Sequence, residues 1–422
     1  METSRMMRPT TALTLGLALL GAAGAFAGTL TVQTGSRYSG NYGLQVTPDS
    51  TPAFVQSSQP SAEKTYRVRF YVNLSRLNLA SNSDFDLFVA YDGADPLPSS
   101  PPAGNPVLRA AVRQQADGSK VLDIFTRTSS GEVPVPSSPN LPAGWRAIEL
   151  EWKASSAPGA NNGAVNVWLD GNAQPGLANL NSDTQVINYV RWGNVSAVAL
   201  GSPLPGAGGV NTFKLDEFGS QRSGALGLVN VFSDIGGLDP TFRQYVHALY
   251  NAGLTNGCAT NPLMYCPDSN VTRAEVAKFL ELGMHGEIFV PPVAGASSFA
   301  DTGSHWAKDW VQQLYADGLT NGCAVSPLRY CPDSSVSRAE MAKFILLARH
   351  GAGYNPPNVS VSSFADAQNH WAKNWIEQMK VEGLSNGCST NPLQYCPDVP
   401  MTRWQMAKAL TLAFNLPVPN GL

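Results

Sequence analysis

Six cysteines occupy regular positions in the C-terminal part of the chain and offer either disulfide or metal chemistry. Cys258, Cys323 and Cys388 recur at intervals of 65 residues, and a second cysteine follows each of them eight residues later. Identical spacing favours three equal loops, closed by the pairs Cys258–Cys266, Cys323–Cys331 and Cys388–Cys396. Such disulfides indicate an oxidising compartment. A zinc site is the alternative, but a C-x7-C pair without a second pair or a nearby histidine has poor zinc-ligand spacing.

An arginine that could bind an anion recurs in the same copies. Residues 272–275, 337–340 and 402–405 read TRAE, SRAE and TRWQ, and each fits the capping box S/T-x-x-E/Q at a helix start. The box explains the first and fourth positions. It does not explain the arginine, because a cation at a helix N-terminus opposes the helix dipole. A guanidinium suits a carboxylate through two parallel hydrogen bonds, so the recurring arginine indicates an anionic partner.

Two pairs of carboxylates in the N-terminal half could support other chemistry. Glu149 and Glu151 project to one face of a predicted strand, and glycoside hydrolysis needs two carboxyl groups about 5 Å apart. A solvated outer face is the favoured interpretation, since the residues between and beside them are apolar. Asp84 and Asp86 are candidates for a structural calcium site. None of the five histidines stands in a recognisable nucleophile motif, so no enzyme is predicted.

The repeated residues require short helices to position them. Each copy predicts a helix, a loop that carries the cysteines, and a second helix. In the second copy the two apolar stripes are Trp306, Trp310 and Leu314, then Met341, Phe344, Ile345 and Ala348. Two such helices cannot bury their apolar faces alone, so the three copies are expected to pack into one bundle.

Residues 28–222 show a period of two instead, which predicts strands. Tyr66, Val68, Phe70 and Val72 alternate with more polar residues. Further strands are predicted at 85–89, 108–112, 122–126, 145–152, 165–169 and 213–218, with Asp117-Gly118 as a hairpin turn. Many short strands with polar turns predict an antiparallel sandwich.

The repeated marks together resemble the S-layer homology repeat, over about residues 232–415. The second copy carries Phe299-Ala300-Asp301, His305-Trp306-Ala307, Gly318-Leu319 and the SRAE segment, and the third repeats Phe364-Ala365-Asp366 and His370-Trp371-Ala372. The resemblance implies an all-α triplet of helix-loop-helix repeats forming a pseudo-threefold bundle. It also implies that cell-wall polysaccharide binds in grooves between repeats, where the arginine contacts the anionic ligand.

On this resemblance the candidate wall-polysaccharide-binding residues are Arg273, Arg338, Arg403, Trp306, Trp371, Asp301 and Asp366. The two tryptophans belong either to the core or to a sugar-binding face, whereas Trp310 and Trp375 are expected in the core. The two aspartates either cap the first helix, which is favoured, or hold a sugar hydroxyl. The first copy has Pro240-Thr241 in place of His-Trp, and the third has Trp404-Gln405 in place of Ala-Glu. These departures leave open whether all three grooves bind.

The N-terminal region is similar to the concanavalin A-like and laminin G-like jelly-roll superfamily. Segments 40–46, 145–150, 167–171 and 214–218 carry this likeness, which is mostly a strand pattern. Such folds host lectins, glucanases and adhesion modules, so the resemblance does not identify a ligand.

The N-terminus indicates where the protein is located, and the composition limits its partners. Residues 1–27 predict a signal peptide, with Arg5 and Arg8, an apolar run and the small-x-small end Ala25-Phe26-Ala27. No later segment is apolar enough to predict a membrane span. Charged residues are only 14% of the chain and the net charge is −3, which argues against nucleic-acid binding.

The sequence therefore predicts a multidomain, exported, non-catalytic protein of the cell wall or cell surface. The expected map is a signal peptide at 1–27, a jelly-roll β-sandwich at 28–222, and repeats at 228–288, 295–353 and 360–417. Its expected partners are a cell-wall polysaccharide for the repeats and a glycan or a protein for the sandwich, without a cofactor. The alternatives are a wall-anchored glycan-processing enzyme and a structural surface-layer subunit.

Overall fold

The structure is a computed structural model, and it describes residues 4–5, 28–58, 60–96 and 101–422. The chain divides into two compact units, Met1–Val229 and Asn230–Asn420. The predicted signal peptide lies outside the described residues apart from residues 4–5. None of the helices in the described ranges is long and apolar enough to cross a membrane.

The first unit is a sandwich of two antiparallel sheets, as predicted. Its strands are β1 (Ser4–Arg5), β2 (Thr29–Gln33), β3 (Gly43–Thr47), β4 (Ala53–Ser57), β5 (Thr65–Asn73), β6 (Asp84–Tyr91), β7 (Pro106–Gln114), β8 (Lys120–Thr128), β9 (Gly131–Pro134), β10 (Trp145–Lys153), β11 (Gly163–Leu169), β12 (Asn172–Leu180), β13 (Tyr189–Asn194) and β14 (Phe213–Gln221). One sheet has the order β12-β11-β10-β5-β14-β3-β2, with β1 paired to β14, and the other has the order β4-β13-β6-β7-β8-β9.

The alternating residues of these strands form the core between the two sheets. Phe70 of β5 stacks on Phe88 of β6, with ring centroids 5.8 Å apart, and Phe85 packs against Phe213 of β14 at 5.4 Å. The antiparallel register pairs Ile148 of β10 with Phe70, which places Ile148 on the same core face. The period-two pattern therefore identified the inward faces correctly.

The second unit contains six helices, two in each copy of the repeat. They are α1 (Pro240–Asn251), α2 (Arg273–His285), α3 (Lys308–Ala316), α4 (Arg338–His350), α5 (Lys373–Val381) and α6 (Arg403–Ala413). The predicted capping boxes open α2 and α4. At α6 only half of the box is formed: the amide of Thr402 donates to Gln405 Oε1 at 3.3 Å, and the Thr402 hydroxyl makes no hydrogen bond with any described residue. The copies are not purely helical, because a two-stranded hairpin lies inside each cysteine loop: β15–β16 (Ala259–Thr260, Leu263–Met264), β17–β18 (Ala324–Val325, Leu328–Arg329) and β19–β20 (Ser389–Thr390, Leu393–Gln394).

The three predicted disulfides are present, and no cysteine is free. Each joins the two ends of a hairpin, with Cα atoms 6.0 Å apart. The three copies are also tied together by a closed ring of backbone hydrogen bonds. The amide of Val271 donates to Met401, that of Met401 to Val336, and that of Val336 back to Val271, at 2.9, 2.9 and 3.0 Å.

Candidate functional site

The repeats meet at three junctions, each built from the helix start of one repeat and the Pro-Asp turn after the cysteine loop of the next. At the first-second junction, the amides of Arg273 and Ala274 donate to the carbonyls of Ser334 and Pro332, both at 2.9 Å. Equivalent bonds run from Arg338 and Ala339 to Val399 and Pro397 at the second-third junction, and from Arg403 and Trp404 to Ser269 and Pro267 at the third-first junction.

The arginines predicted to bind an anion are buried in these junctions. Arg273, Arg338 and Arg403 are 5%, 5% and 3% exposed. Their Nε atoms donate to tyrosine carbonyls of the next repeat, at 2.7 Å to Tyr330, 2.8 Å to Tyr395 and 2.8 Å to Tyr265. Each guanidinium lies 4.8 or 4.9 Å from the centroid of the same tyrosine ring, a cation–π contact. The arginines therefore hold the repeats together, and their role in ligand binding stays a prediction.

The tyrosines complete a reciprocal contact that the sequence analysis missed. The hydroxyl of Tyr330 donates to the carbonyl of Arg273 at 2.8 Å, and the hydroxyls of Tyr265 and Tyr395 contact Arg403 and Arg338 in the same way. All three tyrosine side chains are fully buried. The available signal was the recurrence of Tyr in Pro-Leu-x-Tyr-Cys-Pro-Asp, which marks each of these positions.

The junctions differ in how the guanidinium charge is balanced. Arg403 pairs with Glu275 at 2.5 Å and Arg273 pairs with Glu340 at 3.2 Å. Arg338 has no carboxylate within salt-bridge distance in the described chain, because the third repeat has Gln405 at the equivalent position. Burial holds the pKa of Arg338 below its ordinary value, against the attraction of the Tyr395 hydroxyl and Asp366. The second-third junction therefore contains a buried cation without a paired anion.

A tryptophan and a histidine stand beside two of the junctions. His305 lies 3.2 Å from Asp333 of the first-second turn, and His370 lies 3.1 Å from Asp398 of the second-third turn. The residues that follow the histidines, Trp306 and Trp371, are 59% and 60% exposed, so neither belongs to the core.

The predicted apolar stripe was wrong at its first position. Helix α3 begins at Lys308, so Trp306 precedes the helix and does not share its buried face. Trp310 and Trp375, expected in the core, are only partly buried. Each lies with its ring centroid 5.9 Å from a lysine Nζ, Lys278 or Lys343.

The third-first junction is closed instead. Thr241 occupies the position of the exposed tryptophan, and its amide donates to Asp239, which caps α1. Trp404 covers the junction from the other repeat and packs against Phe242, with ring centroids 4.4 Å apart. Thr241 and Trp404, one from each departure from the repeat pattern, therefore both lie at the third-first junction and fill it.

The prediction that Asp301 and Asp366 cap the first helix was wrong. The N-cap residue of α3 is Ala307, which makes no side-chain capping bond, and α5 begins in the same way at Ala372. Asp301 accepts the consecutive amides of Tyr330 and Cys331 at 2.9 and 2.8 Å, and Asp366 accepts those of Tyr395 and Cys396. Cys331 has a φ of 57°, so the chain turns sharply there and presents two amides to one carboxylate.

Comparison with known protein families identifies the first of these copies. The S-layer homology domain family matches residues 231–277. This chain contains an S-layer homology domain. The matched residues include the first cysteine loop and the start of α2 at Arg273, and the second and third repeats lie outside them. No curated protein matches the chain.

Solved structures resemble the N-terminal β-sandwich, outside the S-layer homology domain. An endo-β-1,4-glucuronan lyase from the fungus Trichoderma reesei is 16% identical with a TM-score of 0.33, covering 46% of this chain and 87% of that one. The cellulose induced protein Cip1 is 18% identical with a TM-score of 0.31, covering 47% and 87%. The globular domain of T. cruzi calreticulin is 11% identical with a TM-score of 0.31, covering 47% and 80%.

Glu149 and Glu151, the candidate carboxylates for glycoside hydrolysis, both make ion pairs and hydrogen bonds with other residues of the sandwich. Glu149 is 6% exposed, ion-pairs with Arg67 and accepts the amide of Leu226 at 3.0 Å. Glu151 lies 3.5 Å from Arg67 and accepts Asn166 Nδ2 at 2.8 Å. The favoured interpretation of a solvated outer face was wrong for Glu149, because the segment around Leu226 covers that part of the sheet.

The calcium candidates do not form a ligand cluster. Asp86 ion-pairs with Arg109 at 2.8 Å, and Arg109 also pairs with Glu132 at 3.0 Å. Within the described ranges, no group of three metal-ligating side chains includes Asp84 or Asp86.

Proposed function

We propose that this chain is an exported, non-catalytic cell-envelope protein that is anchored by its repeats to an anionic cell-wall polysaccharide. The S-layer homology domain supports anchoring at the wall. The observation that carries the proposal further is Arg338, a buried guanidinium without a carboxylate partner at the second-third junction. The β-sandwich is displayed outward in this proposal and takes a glycan or a protein as its ligand.

The arrangement of the repeats as a pseudo-threefold bundle belongs to the same proposal. It is supported by the closed ring among Val271, Met401 and Val336, and by the equivalent arginine–tyrosine contact at every junction. Two-helix units of this size bury their apolar faces only by packing on one another. A bundle of three repeats has three grooves between them. The grooves share the arginine–tyrosine contact, and they differ in whether a carboxylate pairs with the arginine and in whether aromatic side chains fill the groove.

The second-third junction has the groups that a carboxylated sugar requires. The terminal nitrogens of Arg338 make no hydrogen bond within the described chain, so both are available to an anion. A charge-assisted pair to a carboxylate there supplies the counter-charge that Gln405 does not. Trp371 offers an exposed flat ring beside the same turn. We therefore rank the second-third groove first, the first-second groove next and the closed third-first junction last.

Sedimentation of the full chain with isolated wall sacculi tests the proposal. Binding is expected to disappear when the non-peptidoglycan polymer is chemically removed. Arg338→Met is expected to weaken binding about 10-fold or more, and Trp371→Ala several-fold. The controls are Arg403→Met, which alters a charge-paired junction, and Val381→Ala, which removes an exposed side chain of α5.

Either of two results would contradict this proposal. Absence of binding to untreated sacculi by the folded parent chain would refute wall anchoring. Polymer-dependent binding that is equal in the parent and in Arg338→Met would remove the arginine from the ligand site and leave anchoring intact.

We propose that the chain is not catalytic, because Glu149 and Glu151 are both bound by other groups of the protein. One carboxylate ion-pairs with Arg67 and accepts a backbone amide, and the other shares Arg67 and accepts Asn166. Incubation of the chain with wall polymers and uronate-containing glycans, followed by analysis for new chain ends, is expected to give no products. Turnover that is lost in Glu149→Gln or Glu151→Gln would establish a glycan-processing enzyme.

A further inference from the structure

Three potential metal ligands converge at a second contact between the first and second repeats. Glu281 and His285 lie one turn apart near the end of α2, and Asp317 is the C-cap residue of α3. His285 Nε2 lies 3.4 Å from Glu281 Oε2 and 3.4 Å from Asp317 Oδ2. One ligand atom from each of the three residues fits within a span of 4.8 Å.

The buried carboxylate of Glu281 is the feature that needs a partner. Its side chain is 0% exposed, and neither carboxylate oxygen accepts a hydrogen bond. Within the described residues no lysine or arginine ion-pairs with it, and His285 is its one ion-pair contact. A carboxylate in this position is costly to bury unless a cation meets it.

The next pair of repeats shows how the same contact looks when the protein supplies the cation. Moving 65 residues along the chain, Leu346 replaces Glu281, His350 replaces His285, and Glu382 replaces Asp317. There Arg349 pairs with Glu382 at 3.1 Å and His350 lies 2.8 Å from the same carboxylate. The residue equivalent to Arg349 between the first and second repeats is Met284. This contact therefore has one more carboxylate and one fewer cationic side chain than its counterpart.

We propose that Glu281, His285 and Asp317 bind a divalent transition metal ion, with Zn²⁺ as the expected ion. Zinc bonds of about 2.0 to 2.2 Å in a tetrahedron place the ligand atoms about 3.3 to 3.5 Å apart, which is the spacing of His285 Nε2 from both carboxylates. The imidazole ligand favours zinc over calcium and magnesium, which prefer oxygen ligands.

The surroundings fit this proposal. Gln313 Nε2 donates to Asp317 Oδ1 at 3.0 Å, which orients that carboxylate and leaves Oδ2 facing the histidine. His285 and Asp317 are 38% and 29% exposed, so an ion can enter and water can complete its coordination. The ion then links the end of α2 to the end of α3, as Arg349 and Glu382 link α4 to α5.

Calorimetric titration of the untagged, EDTA-treated full chain with Zn²⁺ tests the proposal under non-reducing conditions, which keep all six cysteines in disulfides. One equivalent is expected to bind, and Ca²⁺ or Mg²⁺ is expected to bind at least 10-fold more weakly. Glu281→Gln and His285→Gln are each expected to weaken zinc binding more than 10-fold. Glu382→Gln, at the equivalent contact, is expected to leave it unchanged.

Thermal unfolding provides the second measurement. At 100 times the dissociation constant, Zn²⁺ is expected to raise the Tm of the repeat unit by about 5 °C or more in the parent chain and not in Glu281→Gln. If Glu281→Gln failed to fold, His285→Gln, at a partly exposed side chain, would carry the test. The proposal would be overturned if the parent chain did not bind zinc, or if Glu281→Gln and His285→Gln both bound zinc as tightly as the parent. A preference for calcium over zinc would also overturn it.

Discussion

Replacing each junction arginine by methionine should destabilise the repeats to three different degrees. Methionine keeps most of the aliphatic volume beside the tyrosine ring and removes the charge. Arg403→Met loses the bond to Tyr265 and leaves Glu275 without its partner, which should cost about 3 kcal/mol. Arg273→Met loses equivalent contacts, but Glu340 is 37% exposed and more distant, so about 2 kcal/mol is expected. Arg338→Met loses one carbonyl contact and removes an unpaired buried charge, so about 1 kcal/mol is expected.

Urea unfolding followed by circular dichroism at 222 nm measures this order. Every α-helix in the described ranges lies between Pro240 and Ala413, so the helical signal reports on the repeats. The expected order of destabilisation, Arg403 over Arg273 over Arg338, is the reverse of the expected order for loss of wall binding. Equal costs for the three variants, or the largest cost at Arg338, would refute the inference that carboxylate pairing distinguishes the junctions.

Three further predictions concern the same unit. Reduction of the disulfides should lower the unfolding free energy of the repeats by about 2.5 kcal/mol per loop and leave the β-sandwich transition unchanged, because all six cysteines lie in the repeats; calorimetry with and without reductant measures both transitions. Asp301→Asn should cost about 1 to 3 kcal/mol in urea unfolding, because an amide oxygen can replace only one of the two carboxylate oxygens that accept Tyr330 and Cys331; an unchanged midpoint would contradict the assigned contact. Burial lowers the pKa of His247 to about 3, so the unfolded chain binds the extra proton below about pH 6.5 and stability falls as the pH drops. Relative to the parent, His247→Gln should therefore gain about 2 kcal/mol between pH 7.5 and pH 5, and a pH-independent difference would contradict the buried neutral imidazole.

Local patterns in the sequence predicted what local interactions determine. The capping boxes, the six short helices and the strand faces depend on residues within one or two turns, and the disulfide pairing follows from the repeat itself. The role of Asp301 was wrong because its partners, the amides of Tyr330 and Cys331, lie about 30 residues away in sequence. The burial of Arg273 could not be read from its helix, because Tyr330 and Glu340 come from the next repeat.

The β-sandwich shows the same limit. Alternation correctly assigned the core face of β10 but not the environment of its other face. Glu149 is buried by the segment around Leu226. This segment follows β14, the last strand of the sandwich, and its sequence has no hydrophobic periodicity. A residue on an outward face is exposed only if no later segment covers it, and period two contains no information about that.

The differences among the repeats matter more for function than their similarity does. A ring of three identical junctions would carry three equal arginine–glutamate pairs and no specific site. Gln405 removes one of the three carboxylates and leaves Arg338 without a paired anion, whereas Glu281 adds a carboxylate where Leu346 stands in the next repeat. The contact of Arg338 therefore lacks an anion, and the contact of Glu281 lacks a cation. In both places the helices and loops match those of the other repeats, so only the charge differs. On this reasoning, restoring the pattern with Gln405→Glu should strengthen the bundle and weaken wall binding together, which no purely structural role for Arg338 would produce.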